Sequence, residues 1–558
     1  MRFSEMPYSR PDTNALRDSA SARLAAWKSA SSAEEQLSIL TDWERQEQRI
    51  STLSTMAYIR FQQDTSSEQS RAERTFFDQI NPDLQGDKIR FLQAVLGSPH
   101  RSTLEARLGR HVFQLWEAEC TTFRDEIAAD KRTESALTMR YSSAMAALRI
   151  PFQGAEYTLS TLRAFFGNPD RSVRLAATQA QAKALATIKD DLDEIYGQLV
   201  ETRDRMARSL GHDTYTPLGY SEMHRTDYTD TQVAAFRQAV QDTIVPLAAR
   251  IRARQAGKLG IQDYGFHDEA VNDKRGAPRP QGDHDWMMER ASQMFSSMGT
   301  DFGDFFQMMK QRELLDLKSR DGKAGGGFCA SFETHGVPFI FANFNGTQDD
   351  VNVFTHECGH AFQVYSSRNL SPREYLWPTY EAAEILSMGL EFLCYPHMHL
   401  FFGDSAPRFR TGHLESAITF IPYGAAIDEF QHRVYASPSD RGPEWHASWK
   451  DLEASYLPWR RYQDTPFFEA GRLWQRQRHV YNRPFYYIDY CIAQLCALQL
   501  WSRARKDRED TMRLYRDLCN LGGSMPFTAL LETVGLENPF DPAVVARLSA
   551  EISDELGL

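Results

Sequence analysis

The five residues His356-Glu357-Cys358-Gly359-His360 constrain this chain more than any other stretch. They read H-E-x-x-H, a pattern that works only on a helix. Four residues apart, His356 and His360 project from one helix face about one turn from each other, so both rings can reach one metal ion. Glu357 lies roughly 100° further round the same helix. From there it can accept a proton from a metal-bound water without being a ligand. The pattern points to hydrolysis of a peptide bond.

Two imidazoles leave a zinc ion short of a third protein ligand, so one is expected downstream. The run Glu381-Ala-Ala-Glu-Ile-Leu-Ser-Met-Gly-Leu-Glu391 offers it. Helical spacing aligns Glu384, Ser387 and Glu391 on one stripe. A helix crossing the first could present Glu384 to the metal and leave Ser387 and Glu391 as partners for the histidine N–H groups. Glu381, one turn earlier, is the rival ligand, but it would turn the other carboxylates away from the site. Cys358 is expected to pack in the core, since at two residues from His356 it faces away from the histidine edge.

The rest of the chain reads as mainly α. Residues 15–150 alternate charged and apolar positions with helical period, punctuated by Pro82, Gly86, Gly97 and Pro99. A turn or linker is expected at 151–154. Helical patterning covers 159–166 and then 172–210, with Asn168 or Asp170 as the cap of the second stretch. Residues 255–285, rich in Gly, Asp, Pro and Lys, predict a long surface loop. Residues 325–347 predict two short strands around a Gly-Val-Pro turn, a small sheet beside the H-E-x-x-H helix. That helix should start at Asp349 or Asp350, with Val353 on its buried stripe. Beyond Pro378 helix resumes almost to the C-terminus. The expected division is an N-terminal helical lobe, 1–154, followed by a catalytic region, 155–558.

Composition closes off other classes. With a net charge of −12, nucleic acid is not an expected partner, because phosphate binding needs a basic face. No apolar run approaches the roughly 18 residues that cross a membrane. The polar start MRFSEMPYSRPDTN shows no secretory h-region. The seven cysteines are odd in number and scattered, which fits reduced thiols. A soluble cytoplasmic protein is the expectation, with no reading of oligomeric state.

The segment His479-Val-Tyr-Asn-Arg-Pro-Phe-Tyr-Tyr-Ile-Asp-Tyr490 concentrates hydroxyls and an imidazole. Neutral donors such as a His N–H or Tyr O–H can stabilise the oxyanion of peptide hydrolysis. His479, Tyr486, Tyr487 and Tyr490 could serve. The same residues also fit an aromatic stripe packed in a helical core.

HECGHAFQ, the Glu-Ile-Leu-Ser continuation from Glu384, and HVYNRPFYYIDY together resemble the oligoendopeptidase F branch of the thimet-oligopeptidase (M3) metallopeptidases. So do Asn168-Pro-Asp-Arg-Ser-Val-Arg174, with Ala176 and Ala177, and PFIFANFNGT at 338–347. The similarity runs from about 155 to 505, while the N-terminal lobe matches only in helical character. It implies a two-lobed helical zinc metallopeptidase enclosing a deep substrate channel, acting on short unstructured peptides. It maps the ligands of one zinc onto His356, His360 and Glu384, the general base onto Glu357, and the transition-state histidine onto His479. The family's tyrosines fall within 486–490, Tyr490 first and Tyr487 next. It also implies that the strand of Phe339, Ile340, Phe341, Ala342, Asn343 and Phe344 lends its edge to substrate backbone, with the Gly325–Gly327 run letting that strand shift. An aminopeptidase or carboxypeptidase of similar metal geometry is a rival, but the upstream G-x-M-E-N strand usual in the aminopeptidases does not occur. A catalytically silent peptide-binding protein is another, opposed by the presence of Glu357 and His479.

Overall fold

A computed structural model describes residues 1–558, apart from the side chain of Asp125. Helix accounts for 72% of it, so the chain is mainly α, with short strands only. The chain forms two compact units, each assembled from three separated stretches. The first holds Met1–Phe123, Arg279–Gly403 and Arg503–Leu536, and the second holds Arg124–Pro278, Asp404–Ser502 and Glu537–Leu558. These units do not follow the linear division expected at 154/155, because helices far apart in sequence share a core. Among the described residues no helix is long and apolar enough to cross a membrane.

In the first unit, Thr13–Ser29, Ala33–Gln63 and Glu68–Leu96 are long helices. Ser32 caps the second by accepting the Glu35 N–H at 3.2 Å, and the Glu35 carboxylate returns to the Ser31 N–H at 2.7 Å. Pro82 and Gly86 do not interrupt the third helix. Pro82 is exposed, so water can hydrate the carbonyl that its missing N–H leaves unbonded. Trp27, Leu40, Trp43, Phe91, Leu92, Val112 and Trp116 pack into one core. Each such side chain contributes roughly 1.5–3 kcal/mol on burial.

Tyr375 belongs to that core although it lies far along the chain. Its hydroxyl donates to the Leu108 carbonyl at 2.9 Å and accepts the Val112 N–H at 3.2 Å. Trp116 Nε1 donates to Glu374 at 2.9 Å. The N-terminal helices thereby grip the connection between the H-E-x-x-H helix and the helix that carries Glu384.

The sheet has three strands, with Val337–Phe344 between Leu315–Lys318 and Phe328–Phe332. Leu315–Lys318 pairs parallel to the central strand and was not anticipated from the sequence. Phe328–Phe332 pairs antiparallel, with Ser331 opposite Pro338. The turn falls on Glu333–His335 and Gly336, so Val337 and Pro338 already belong to the strand. The metal helix then runs Gln348–Ser367 with Thr347 at its N-cap. Asp350 does not start it; its carboxylate instead accepts the Asn345 and Gly346 N–H groups and closes the loop before the helix.

In the second unit, the 151–154 turn sits inside a hairpin of Ile150–Phe152 and Ala155–Tyr157. Asp170 caps Arg171–Ala186 by accepting the Ser172 N–H at 2.8 Å. Helix is broken at Thr187 and Ile188 before Lys189–Ser209. The 255–285 segment is not wholly a surface loop: helix persists to Leu259, and Asp268 is fully buried between Arg171 and Arg174. A buried carboxylate is retained there because two guanidiniums and the Gly265 N–H satisfy it.

Candidate metal centre

The metal helix crosses Tyr380–Leu393 so closely that only glycine fits at the crossing. A Cβ on Gly359 would sit 2.5 Å from the Leu386 carbonyl oxygen and 2.6 Å from Ser387 Cα. This approach carries three ligating atoms together. His356 Nε2 and His360 Nε2 lie 3.3 and 3.6 Å from one oxygen, Glu384 Oε2. Among the described residues, His356, His360 and Glu384 form the group able to hold a metal ion, with ligand atoms all within 4.8 Å of one another. Glu381 is outside it.

The residues fit zinc. Ligands about 2.0–2.2 Å from a tetrahedral zinc stand roughly 3.4 Å from one another, close to the two separations found. Glu391 Oε1 lies 2.7 Å from His356 Nδ1. As acceptor of the Nδ1–H it turns Nε2 toward Glu384, where its lone pair would serve a bound metal. The Ser387 hydroxyl lies 3.0 Å from Glu384 Oε2, so it orients the carboxylate rather than a histidine. His360 Nδ1 is buried without a hydrogen-bond partner among the described residues.

The charges around this pocket are strongly biased. Burial disfavours the charged forms, yet the imidazoles of His360 and His356 outweigh it and hold Glu384 well below the usual carboxylate range. Burial likewise opposes the His356 imidazolium, but Glu384 and Glu391 hold that ring well above its ordinary range. Glu357 goes the other way: burial raises its carboxyl, only partly offset by the two histidines. Its Oε2 is buried and makes no hydrogen bond among the described residues. Carboxylates and imidazoles packed this way suit a divalent cation.

Val353 does not lie on a buried stripe; it is 36% exposed. The stripe 353–356–360 is the open face of the helix, while Phe354, Cys358, Ala361 and Phe362 take the core side. Above that open face runs Gly327. A Cβ there would stand 3.1 Å from Val353 Cγ1 and 3.7 Å from Glu357 Oε1. Cys358 is fully buried, and burial pushes its thiol well up, in keeping with a packing role.

Phe339, Ile340, Phe341, Ala342, Asn343 and Phe344 lie in the central strand of the sheet, where Ile340 and Phe341 are paired on both sides. The pairing with Phe328–Phe332 ends at Phe341, and beyond it the Asn343 amide donates to the Ala324 and Gly326 carbonyls. Lys323 Nζ, fully buried, donates to the Ala342 carbonyl at 2.6 Å. Phe328–Phe332, one of the two outer strands, continues from Gly327.

His479, Tyr486, Tyr487 and Tyr490 belong to the second unit and lie together there. Ring centroids of the three tyrosines stand 5.6, 5.0 and 5.9 Å from that of His479. Tyr487 and Tyr490 sit in the first turn of Tyr487–Lys506. Burial drives the Tyr487 phenol well above its ordinary range, so it keeps its proton. Sequence reading missed Gln477, whose amide lies 2.7 Å from His479 Nδ1, and Tyr423, which reaches Gln477 from another helix.

Comparison with known proteins adds to this geometry. The Peptidase M3 N-terminal domain matches residues 3–123 and Peptidase family M3 matches residues 298–549. Among curated proteins none matches the chain. A structure of PZ peptidase A with an inhibitor is 40% identical, with a TM-score of 0.96, covering 100% of this chain and 99% of its own. One assigned as oligoendopeptidase F is 41% identical, again with a TM-score of 0.96 and coverage of 100% and 99%. Another, assigned likewise and from Bacillus anthracis str. Ames, is 39% identical with a TM-score of 0.91, covering 100% and 98%. The chain is therefore a peptidase belonging to family M3, in its oligoendopeptidase F branch.

Proposed function

We propose that this chain is a zinc-dependent endopeptidase that hydrolyses internal bonds of short unstructured peptides. The observation that carries the proposal is the convergence of His356 Nε2, His360 Nε2 and Glu384 Oε2 beside the buried Oε2 of Glu357, which makes no hydrogen bond among the described residues. His356, His360 and Glu384 would hold the ion. When bound, zinc acidifies a water molecule and polarises the scissile carbonyl.

The chain's own groups do the remaining work. Glu391 and Ser387 orient His356 and Glu384. Glu357 Oε2 takes one proton as the water oxygen bonds to the carbonyl carbon, and delivers it to the leaving nitrogen as the C–N bond breaks. His479 and Tyr490, with Tyr487 and then Tyr486 as the alternative hydroxyls, donate to the oxyanion. Substrate backbone adds to the outer strand Phe328–Phe332, and Gly327 leaves room beside Glu357.

The test is cleavage of internally quenched peptides of graded length, with blocked and free N-termini, before and after chelation. The proposal expects blocked peptides to be cut, activity to vanish on chelation and return with zinc, and long folded substrates to resist. Cleavage restricted to free N-termini would make it an aminopeptidase. No cleavage by the zinc-loaded chain would make it a peptide-binding protein.

A further inference from the structure

The hydrogen bonds around His479 run in one direction, and that direction is set from outside the ring. Gln477 Nε2 lies 2.7 Å from His479 Nδ1, and Gln477 Oε1 accepts the Tyr423 O–H at 3.0 Å. The positive charge of Arg476 lies near the Tyr423 phenol and favours its electron-rich oxygen. Arg476, Gln477 and His479 follow one another closely in the chain, whereas Tyr423 comes from the helix Ala406–Ala436.

A guanidinium has donors and no acceptor. The Arg476 charge therefore draws the phenol's lone pairs, and the Tyr423 proton points at Gln477, as the 3.0 Å bond shows. Burial pushes the Tyr423 phenol up, partly offset by Arg476, so the proton stays on it. A phenolic O–H needs an oxygen opposite, and this fixes which end of the Gln477 amide faces Tyr423. The other end, the NH₂, must face His479. An N–H aimed at Nδ1 requires a bare nitrogen there, so the neutral ring carries its proton on Nε2.

We propose that Arg476, Tyr423 and Gln477 form a one-way relay that holds His479 as the Nε2–H tautomer, the form able to donate to a developing oxyanion. The proposal rests on the hydrolytic role of His479 given above. With the amide reversed, its carbonyl would accept Nδ1–H and Nε2 would present a lone pair. A lone pair facing an oxyanion repels it. Gln477 is thus a positioning residue that acts through His479.

Histidine-selective ¹⁵N labelling of the full chain tests this directly, with His479→Asn assigning the signal. At neutral pH the His479 ring is expected to show a bare Nδ1 and a protonated Nε2. Gln477→Glu replaces the donor with a group that only accepts, so the tautomer should reverse, and kcat should fall about 10–100-fold with KM little changed. Tyr423→Phe should weaken the preference and give a smaller loss. A wild-type ring protonated on Nδ1 overturns the relay, and that spectrum decides even where a variant does not fold. A reversed ring with unchanged kcat in Gln477→Glu overturns it too. An Nε2–H ring in a chain that cleaves no peptide supports the relay while refuting the hydrolytic reading, which separates the two.

Discussion

Glu391, on the helix that carries Glu384, lies 2.7 Å from Nδ1 of His356 across the helix crossing and accepts its proton. That bond fixes the ring with Nε2 toward Glu384, so the second helix supplies both a ligand and the orientation of another ligand. Glu391→Gln is expected to lower zinc affinity about 10–100-fold while leaving the fold intact. Competition against a chelator of known affinity measures this. Unchanged affinity would mean that the ring is oriented without Glu391.

The crossing itself makes a second prediction. Gly359→Ala places a methyl 2.5 Å from the Leu386 carbonyl, a contact that backbone must relieve. Overpacking of this kind costs about 1–3 kcal/mol, and here it also separates the ligands. Denaturant unfolding together with metal content should show both losses. A variant that is less stable but binds zinc normally would place the strain elsewhere.

How far the sequence reaches is visible in these same residues. His356, Glu357 and His360 are legible because one helix sets their geometry. Glu384 and Glu391 are legible because their stripe recurs with the same period. Val353 was misplaced because period alone does not say which face of a helix is open. The internal position of Phe339–Phe344 was missed because the neighbour that covers it, Leu315–Lys318, pairs in parallel from outside the local hairpin. Gln477 and Tyr423 sit 54 positions apart, and nothing in spacing joins them.

Glu357→Gln should keep zinc bound and reduce kcat about 10²–10⁴-fold, the usual contribution of a positioned acid–base group. The amide matches the carboxylate in shape but does not accept the proton. Paired metal analysis and initial rates check it. Full activity would remove Glu357 from the mechanism.

Stability should respond to pH through Glu44. Burial, reinforced by the nearby charge of Glu374, pushes its carboxyl up to about 7. A carboxyl with a raised folded-state value resists ionisation, so its cost to stability is absent below the unfolded value near pH 4. The cost grows as pH rises toward 7 and is constant above. Glu44→Gln removes the charge and should stabilise the chain by about 2 kcal/mol at pH 8, with little effect at pH 4.5. Denaturation midpoints at the two pH values test this. Equal effects at both would show that Glu44 ionises freely.

The central claim is that His356, His360 and Glu384 hold one ion on which peptide hydrolysis depends. Titrating zinc into the metal-free chain, while following bound metal and cleavage of a quenched peptide together, tests it most directly. The account predicts that both rise in parallel and level off at one equivalent, and that Glu384→Ala neither binds tightly nor turns over. Cleavage by the metal-free chain, or tight zinc binding by Glu384→Ala, would contradict it.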